Sequence, residues 1–152
     1  MKKQLEIATI KANSTTFLGC ELSWILSRNQ LEFIFKEIEI ISSPPFAAKA
    51  KYQGVMLPVI NLEKYYGLKE KDQNSMLKYL VVRAVNEKKE LVKLIVQTSR
   101  MLKIQTLENG APSLQSPAFP KNSENVLGMY SLATGQLGIV PDFIGINSSL
   151  QL

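Results

Sequence analysis

Gly54-Val55-Met56-Leu57-Pro58-Val59-Ile60-Asn61-Leu62-Glu63-Lys64-Tyr65-Tyr66-Gly67-Leu68 reads as a turn, a buried strand and a short capped helix in immediate succession. Gly54 can take the positive φ of a hairpin turn, and the apolar run after it has the length of a strand rather than a helix. Pro58 cannot donate to a ladder, which predicts an edge, a bulge or a bend there. Asn61 suits a helix N-cap, residues 62–66 supply about one turn, and Gly67 suits the residue just past the helix end.

Upstream, residues 48–52 alternate small or aromatic with charged residues and predict a half-exposed strand leading into this hairpin. Residues 5–10 suit a first strand. Phe17-Leu18 and the run Leu22-Ser23-Trp24-Ile25-Leu26 flank a short turn and predict a hairpin, with Trp24 as a core anchor. Asn29-Gln30-Leu31-Glu32, followed by Ile34, Phe35 and Ile38, predicts a short helix giving way to a strand near Ile40. Downstream, residues 69–75 form a polar loop. Residues 79–85 and 91–96 predict a hairpin, residues 101–104 a further strand, and residues 130–132 and 137–140 another hairpin. Residues 108–125 are rich in Pro, Ser, Asn and Gly and long enough for a mobile or functional excursion rather than a simple connector. Pro141-Asp142-Phe143 can begin a terminal turn. So many short strands with so little helix predict an all-β barrel or sandwich.

The two halves repeat one pattern. Leu22 to Leu26, followed by Leu31 and Ile34, parallels Val92 to Val96, followed by Met101 and Ile104. Gly54, Val59, Asn61 and Leu62 match Gly135, Val140, Asp142 and Phe143 in spacing. Pattern alone does not separate a duplication from two ordinary hairpins.

Composition narrows the function. At 152 residues, 45% apolar and 20% charged, the chain is that of an ordinary globular domain. It contains no histidine, which removes the commonest general base and the commonest metal ligand together. Asp72 and Asp142 are its two aspartates, too few for a clustered-aspartate site, and no phosphate-binding glycine loop is present. No catalytic residue, metal site or cofactor is therefore nominated. The single cysteine, Cys20, reads as a small buried hydrophobe in a reducing compartment. No apolar segment is long enough to span or insert in a membrane, and the first residues lack a signal-like apolar stretch, which predicts a cytoplasmic protein. The net charge of +5 and pI near 9.3 leave an acidic partner open. Lysines interleaved with Phe46, Tyr52, Tyr65 and Tyr66 provide an alternative reading, a small barrel binding single-stranded nucleic acid. Acidic residues among those lysines, and the core-like positions of the aromatics, weigh against a nucleic-acid partner.

Taken in order, Phe17-Leu18-Gly19, Pro44-Pro45-Phe46, the stretch from Gly54 to Leu62 with Gly67-Leu68, Leu94-Ile95-Val96, and Gly128 through Leu137 to Asp142 resemble the CheW family of chemotaxis adaptors. The resemblance covers nearly the whole chain. It implies two packed five-stranded SH3-like β-barrels with one or two short helices: a first barrel over about residues 17–78, and a second over about 79–145 completed by strand 5–10. It also implies a non-catalytic scaffold whose partners are the regulatory domain of a CheA-like histidine kinase and the cytoplasmic tip of a methyl-accepting chemoreceptor. The contact residues it suggests are Lys51, Tyr52, Gln53, Gly54 and Met56. Family members usually carry Asn-Leu-Arg-Gly where this chain has Lys51-Tyr52-Gln53-Gly54, so a neutral amide stands in place of a guanidinium fork. The family's Asp is Asn61 here. In the second half, its Gly-Leu-x-Val-Asp becomes Lys93-Leu94-Ile95-Val96-Gln97.

Overall fold

The computed structural model describes residues 4–12, 17, 19–41, 48–69, 77–100, 102–108, 113–115, 117–133 and 135–150. In chain order the elements are β1 (Gln4–Lys11), β2 (Glu21–Ser27), β3 (Leu31–Phe35), β4 (Ile40–Ile41), β5 (Lys49–Tyr52), β6 (Val55–Ile60), α1 (Leu62–Tyr65), β7 (Lys78–Val85) and β8 (Leu91–Thr98). They continue with β9 (Leu102–Glu108), β10 (Ser113–Leu114), β11 (Val126–Ala133), β12 (Gln136–Pro141) and α2 (Phe143–Leu150). Leu18, the Pro44-Pro45-Phe46 signal and most of the polar loop after Lys69 lie outside the described residues.

The fold is all-β, with two six-stranded sheets ordered β10-β11-β12-β2-β1-β9 and β3-β7-β8-β6-β5-β4. Each sheet has one strand more than the five expected, and among the described residues neither closes into a barrel through its hydrogen bonds. β2 lies in the first sheet, beside β1, while β7 and β8 lie in the second, beside β3 and β6.

This exchange is the repeat in physical form. Advancing each strand of the first half by six positions, and returning each strand of the second by six, turns one sheet order into the other read backwards. The registers agree as well. β6 runs parallel to β8 with Val59 opposite Ile95, and β12 runs parallel to β2 with Ile139 opposite Trp24. Each half therefore contributes its first two strands to the sheet built from the other half's last four.

Packing follows from that arrangement. The larger core lies between the sheets and joins Ala8, Ile10, Trp24, Leu26 and Ile139 of the first to Ile60, Leu80, Val82, Leu94 and Val96 of the second. A smaller core, with Ala50, Tyr52, Leu57, Val59, Tyr79, Val81 and Ile95, covers the opposite face of the second sheet. The central strands are thus buried on both faces, which explains their unbroken apolar runs at Trp24-Ile25-Leu26, Leu80-Val81-Val82 and Leu94-Ile95-Val96.

Not every local signal survives the packing. The helix expected from Asn29 to Ile38 does not form: a single 3-10 turn, Arg28–Gln30, leads directly into β3. The capping box lies two residues earlier than Asn29 and serves this turn: Ser27 N–H donates to Gln30 Oε1 at 3.0 Å. Phe17 and Cys20 form an isolated bridge, and β2 takes β1 as its antiparallel partner instead of the run at Phe17. Cys20 is half-buried. Among the described residues before β11, Phe119 is buried against Tyr66 with ring centroids 5.0 Å apart.

Candidate functional site

The β5–β6 hairpin carries all five residues singled out in the sequence. Tyr52 pairs with Val55 across a two-residue turn in which Gln53 has φ 49° and Gly54 has φ 81°. Positive φ at both central positions is the type I′ pattern, whose twist matches that of the flanking strands. Lys51 and Met56 sit opposite each other on the outer face, Lys51 exposed and Met56 43% exposed. Gln53 and Gly54 form the exposed tip.

Tyr52 points the other way. It is 8% exposed and packs edge-on to Phe35, with ring centroids 5.8 Å apart. Its hydroxyl donates to the Glu32 carboxylate, which also accepts from Lys93 Nζ at 3.0 Å and lies 3.6 Å from an Arg83 guanidinium nitrogen. Lys93 Nζ stands 5.6 Å from the centre of the Tyr52 ring. The hydrogen bond from Tyr52, then that from Lys93 and the two positive charges, hold the Glu32 carboxyl below its ordinary pKa against the opposing effect of burial. The same bond raises the Tyr52 phenol, with burial and the Glu32 charge adding to it.

Glu32, Arg83 and Lys93 were not legible as site residues. One signal was present: Arg83 and Lys93 are direct cross-strand partners in the β7–β8 hairpin, and two like charges opposite each other call for an anion. Glu32 supplies it from β3, a stretch whose spacing suggested a helix.

Around this cluster lies a small cleft of about 240 Å³, rimmed by Val55 and Leu91, which are 58% and 54% exposed. Leu91 also borders a groove of about 580 Å³ between the sheets, where Val85 and Leu127 expose apolar surface beside the start of α2. The hairpin tip and the groove thus share a rim. Exposed aliphatic side chains around concave surface suit contact with another protein.

The aromatic residues of the nucleic-acid reading are placed differently. Tyr66 is fully buried, stacked on Trp24 at 5.5 Å, and its hydroxyl donates to the Asn125 carbonyl at 2.7 Å. Tyr52 is inside the smaller core, and Phe46 lies outside the described residues. Among the described residues no group of His, Cys, Asp and Glu could hold a metal ion, and no helix is long and apolar enough to cross a membrane.

No family model and no curated protein matches the chain. Among solved structures it is similar to the scaffolding protein TtCheW from Thermoanaerobacter tengcongensis, with a TM-score of 0.66 at 12% identity, over 91% of this chain and 84% of that one. At that identity the likeness establishes the fold: two packed β-sheets in the CheW arrangement.

Proposed function

We propose, with the CheW fold as premise, that this chain is a non-catalytic adaptor of a chemosensory two-component system, coupling chemoreceptors to a histidine autokinase in the cytoplasm. The observation that carries the reading is the match of fold over nine-tenths of the chain to a scaffolding protein. The lack of histidine in the sequence agrees with a role that asks no chemistry of the chain.

The hairpin face formed by Lys51, Gln53, Gly54 and Met56, with Tyr52 holding it from beneath, is one partner surface. The adjoining apolar groove at Val85, Leu91 and Leu127 is the other. Two neighbouring surfaces suit a protein that must hold a kinase regulatory domain and a receptor tip together. Gln53 makes the first surface less cationic than an arginine would, so its partner offers a correspondingly less acidic contact.

Binding of the purified chain to the regulatory domain of the cognate kinase and to receptor-tip fragments, followed by calorimetry, tests this. Dissociation constants on the order of tens of micromolar or tighter are expected. Met56→Glu should weaken one partner and Leu127→Glu the other, each by roughly tenfold. Absence of binding to both partners would sink the adaptor role.

A further inference from the structure

At one end of the first sheet β1 finishes while β2, β9 and β12 begin, and their ends surround a cleft of about 550 Å³. Lys11 from β1, Lys103 from β9 and Arg100 from the turn before β9 bring three cations to it. Among the described lining residues Glu21 is the one carboxylate, and it pairs with Lys11 at 3.2 Å. The remaining polar groups are hydroxyls and amides that can donate, including Ser23 and Gln136. Thr9 lines its inner part at 4% exposure, its hydroxyl accepting from Gln105 Nε2 at 2.5 Å.

The pseudo-twofold supplies an internal comparison. At the matching end of the second sheet, where β7 finishes and β8, β6 and β3 begin, Glu32 neutralises Arg83 and Lys93, and Tyr52 fills the space beneath, leaving the cleft of about 240 Å³. In the first sheet β9 takes the place of β3. It carries Leu102 and Lys103 there, a cation where the other sheet has a carboxylate, and the end stands open.

We infer that this open end binds a compact, multiply charged oxyanion, carboxylate or phosphoryl in class. A concave volume of a few hundred cubic ångströms, with cations outnumbering carboxylates on its walls and convergent donors, suits such a ligand. The cleft is on the sheet away from the Gln53-Gly54 hairpin, so its occupancy and the adaptor role stand or fall separately.

Titration of the full-length chain with citrate and, separately, with inorganic pyrophosphate, at constant ionic strength and followed by amide NMR, provides the test. Shifts should concentrate at Thr9, Lys103, Gln105 and Gln136. Lys103→Gln and Arg100→Gln should each weaken binding by about tenfold, while Lys88→Gln in the distant β7–β8 turn leaves it unchanged. Tighter binding of citrate assigns the site to carboxylates, and tighter binding of pyrophosphate assigns it to phosphoryl groups. Shifts spread evenly over the lysines, no saturable shifts at all, or an affinity indifferent to Lys103→Gln in a variant with a native spectrum, would overturn the inference.

Discussion

Gly54 and Gly138 are required for different reasons, and substitution separates them. A methyl group at Gly54 would meet open space, but the residue holds φ 81°, so Gly54→Ala should cost about 1–2 kcal/mol through backbone strain alone. Gly138 has an ordinary backbone, yet a β-carbon there would collide with Ile25 Cδ1 and meet Leu132 Cδ1 at 3.0 Å. Gly138→Ala should therefore cost about 1–3 kcal/mol by overpacking, and Ile25→Val in the same chain should recover part of it. Urea unfolding of the three variants checks both. Glu32 gives a pH signature. Its folded pKa is depressed, so the unfolded state binds more protons, and the stability contributed by the carboxylate is present above the ordinary carboxylate range and lost as pH falls through the folded value. Between about pH 6 and pH 3, the urea midpoint of the wild type should fall more steeply than that of Glu32→Gln. Equal slopes would mean that the Tyr52–Glu32–Lys93 cluster does not form in solution. The residue scale was half legible: Gly54 announced the turn and the alternation over residues 48–52 a half-exposed strand, but nothing local said that Tyr52 would meet Glu32 and Lys93, because those arrive from other strands.

The short helix α1 shows local signals and tertiary packing in agreement. Asn61 Oδ1 accepts from Lys64 N–H at 3.1 Å, and Gly67 follows the helix with φ 76°. One turn is far too short to be stable alone, so the cap only orients a segment held by Leu62 and Tyr66 in the main core. Asn61→Ala should cost about 1 kcal/mol in thermal or urea unfolding without altering the far-UV spectrum. Pro58 is accommodated by position. Val59 N–H donates to the Ala48 carbonyl toward β5, so the nitrogen of Pro58 faces the other side, where the ladder to β8 begins only at Val59. The segment 28–35 is the counter-case. Its helical spacing loses to pairing with β7, where Phe33 opposite Val81 and Phe35 opposite Tyr79 extend the second sheet. At the far end of the chain, Asp142 Oδ1 accepts from Gly145 N–H at 3.1 Å and starts α2, as Asn61 starts α1.

At the scale of the molecule the exchanged hairpins make the two sheets one cooperative unit, since the main core draws on both sheets and on both helices. Trp24 fluorescence and far-UV dichroism should therefore lose signal in a single coincident transition. A fragment ending at residue 78 should not fold, because it would leave β2 without β12 and β6 without β8. Two separated transitions, or a folded fragment, would show instead that each half stands alone. The sequence by itself determined the strands with strong turn punctuation, the cap of α1 and Trp24 as core, because those depend on local backbone chemistry and on spacing. It also excluded chemistry that needs histidine. Only the tertiary structure decided which strands share a sheet, since parallel pairing of β2 with β12 and of β6 with β8 joins residues far apart in the chain and leaves no local trace. The same distance explains the two ends of the pseudo-twofold: the charge that meets the cations at a strand end depends on what the strand arriving from the other half brings. In the second sheet it brings Glu32, in the first Lys103, and charge complementarity across that junction is a property of the fold rather than of any stretch of sequence.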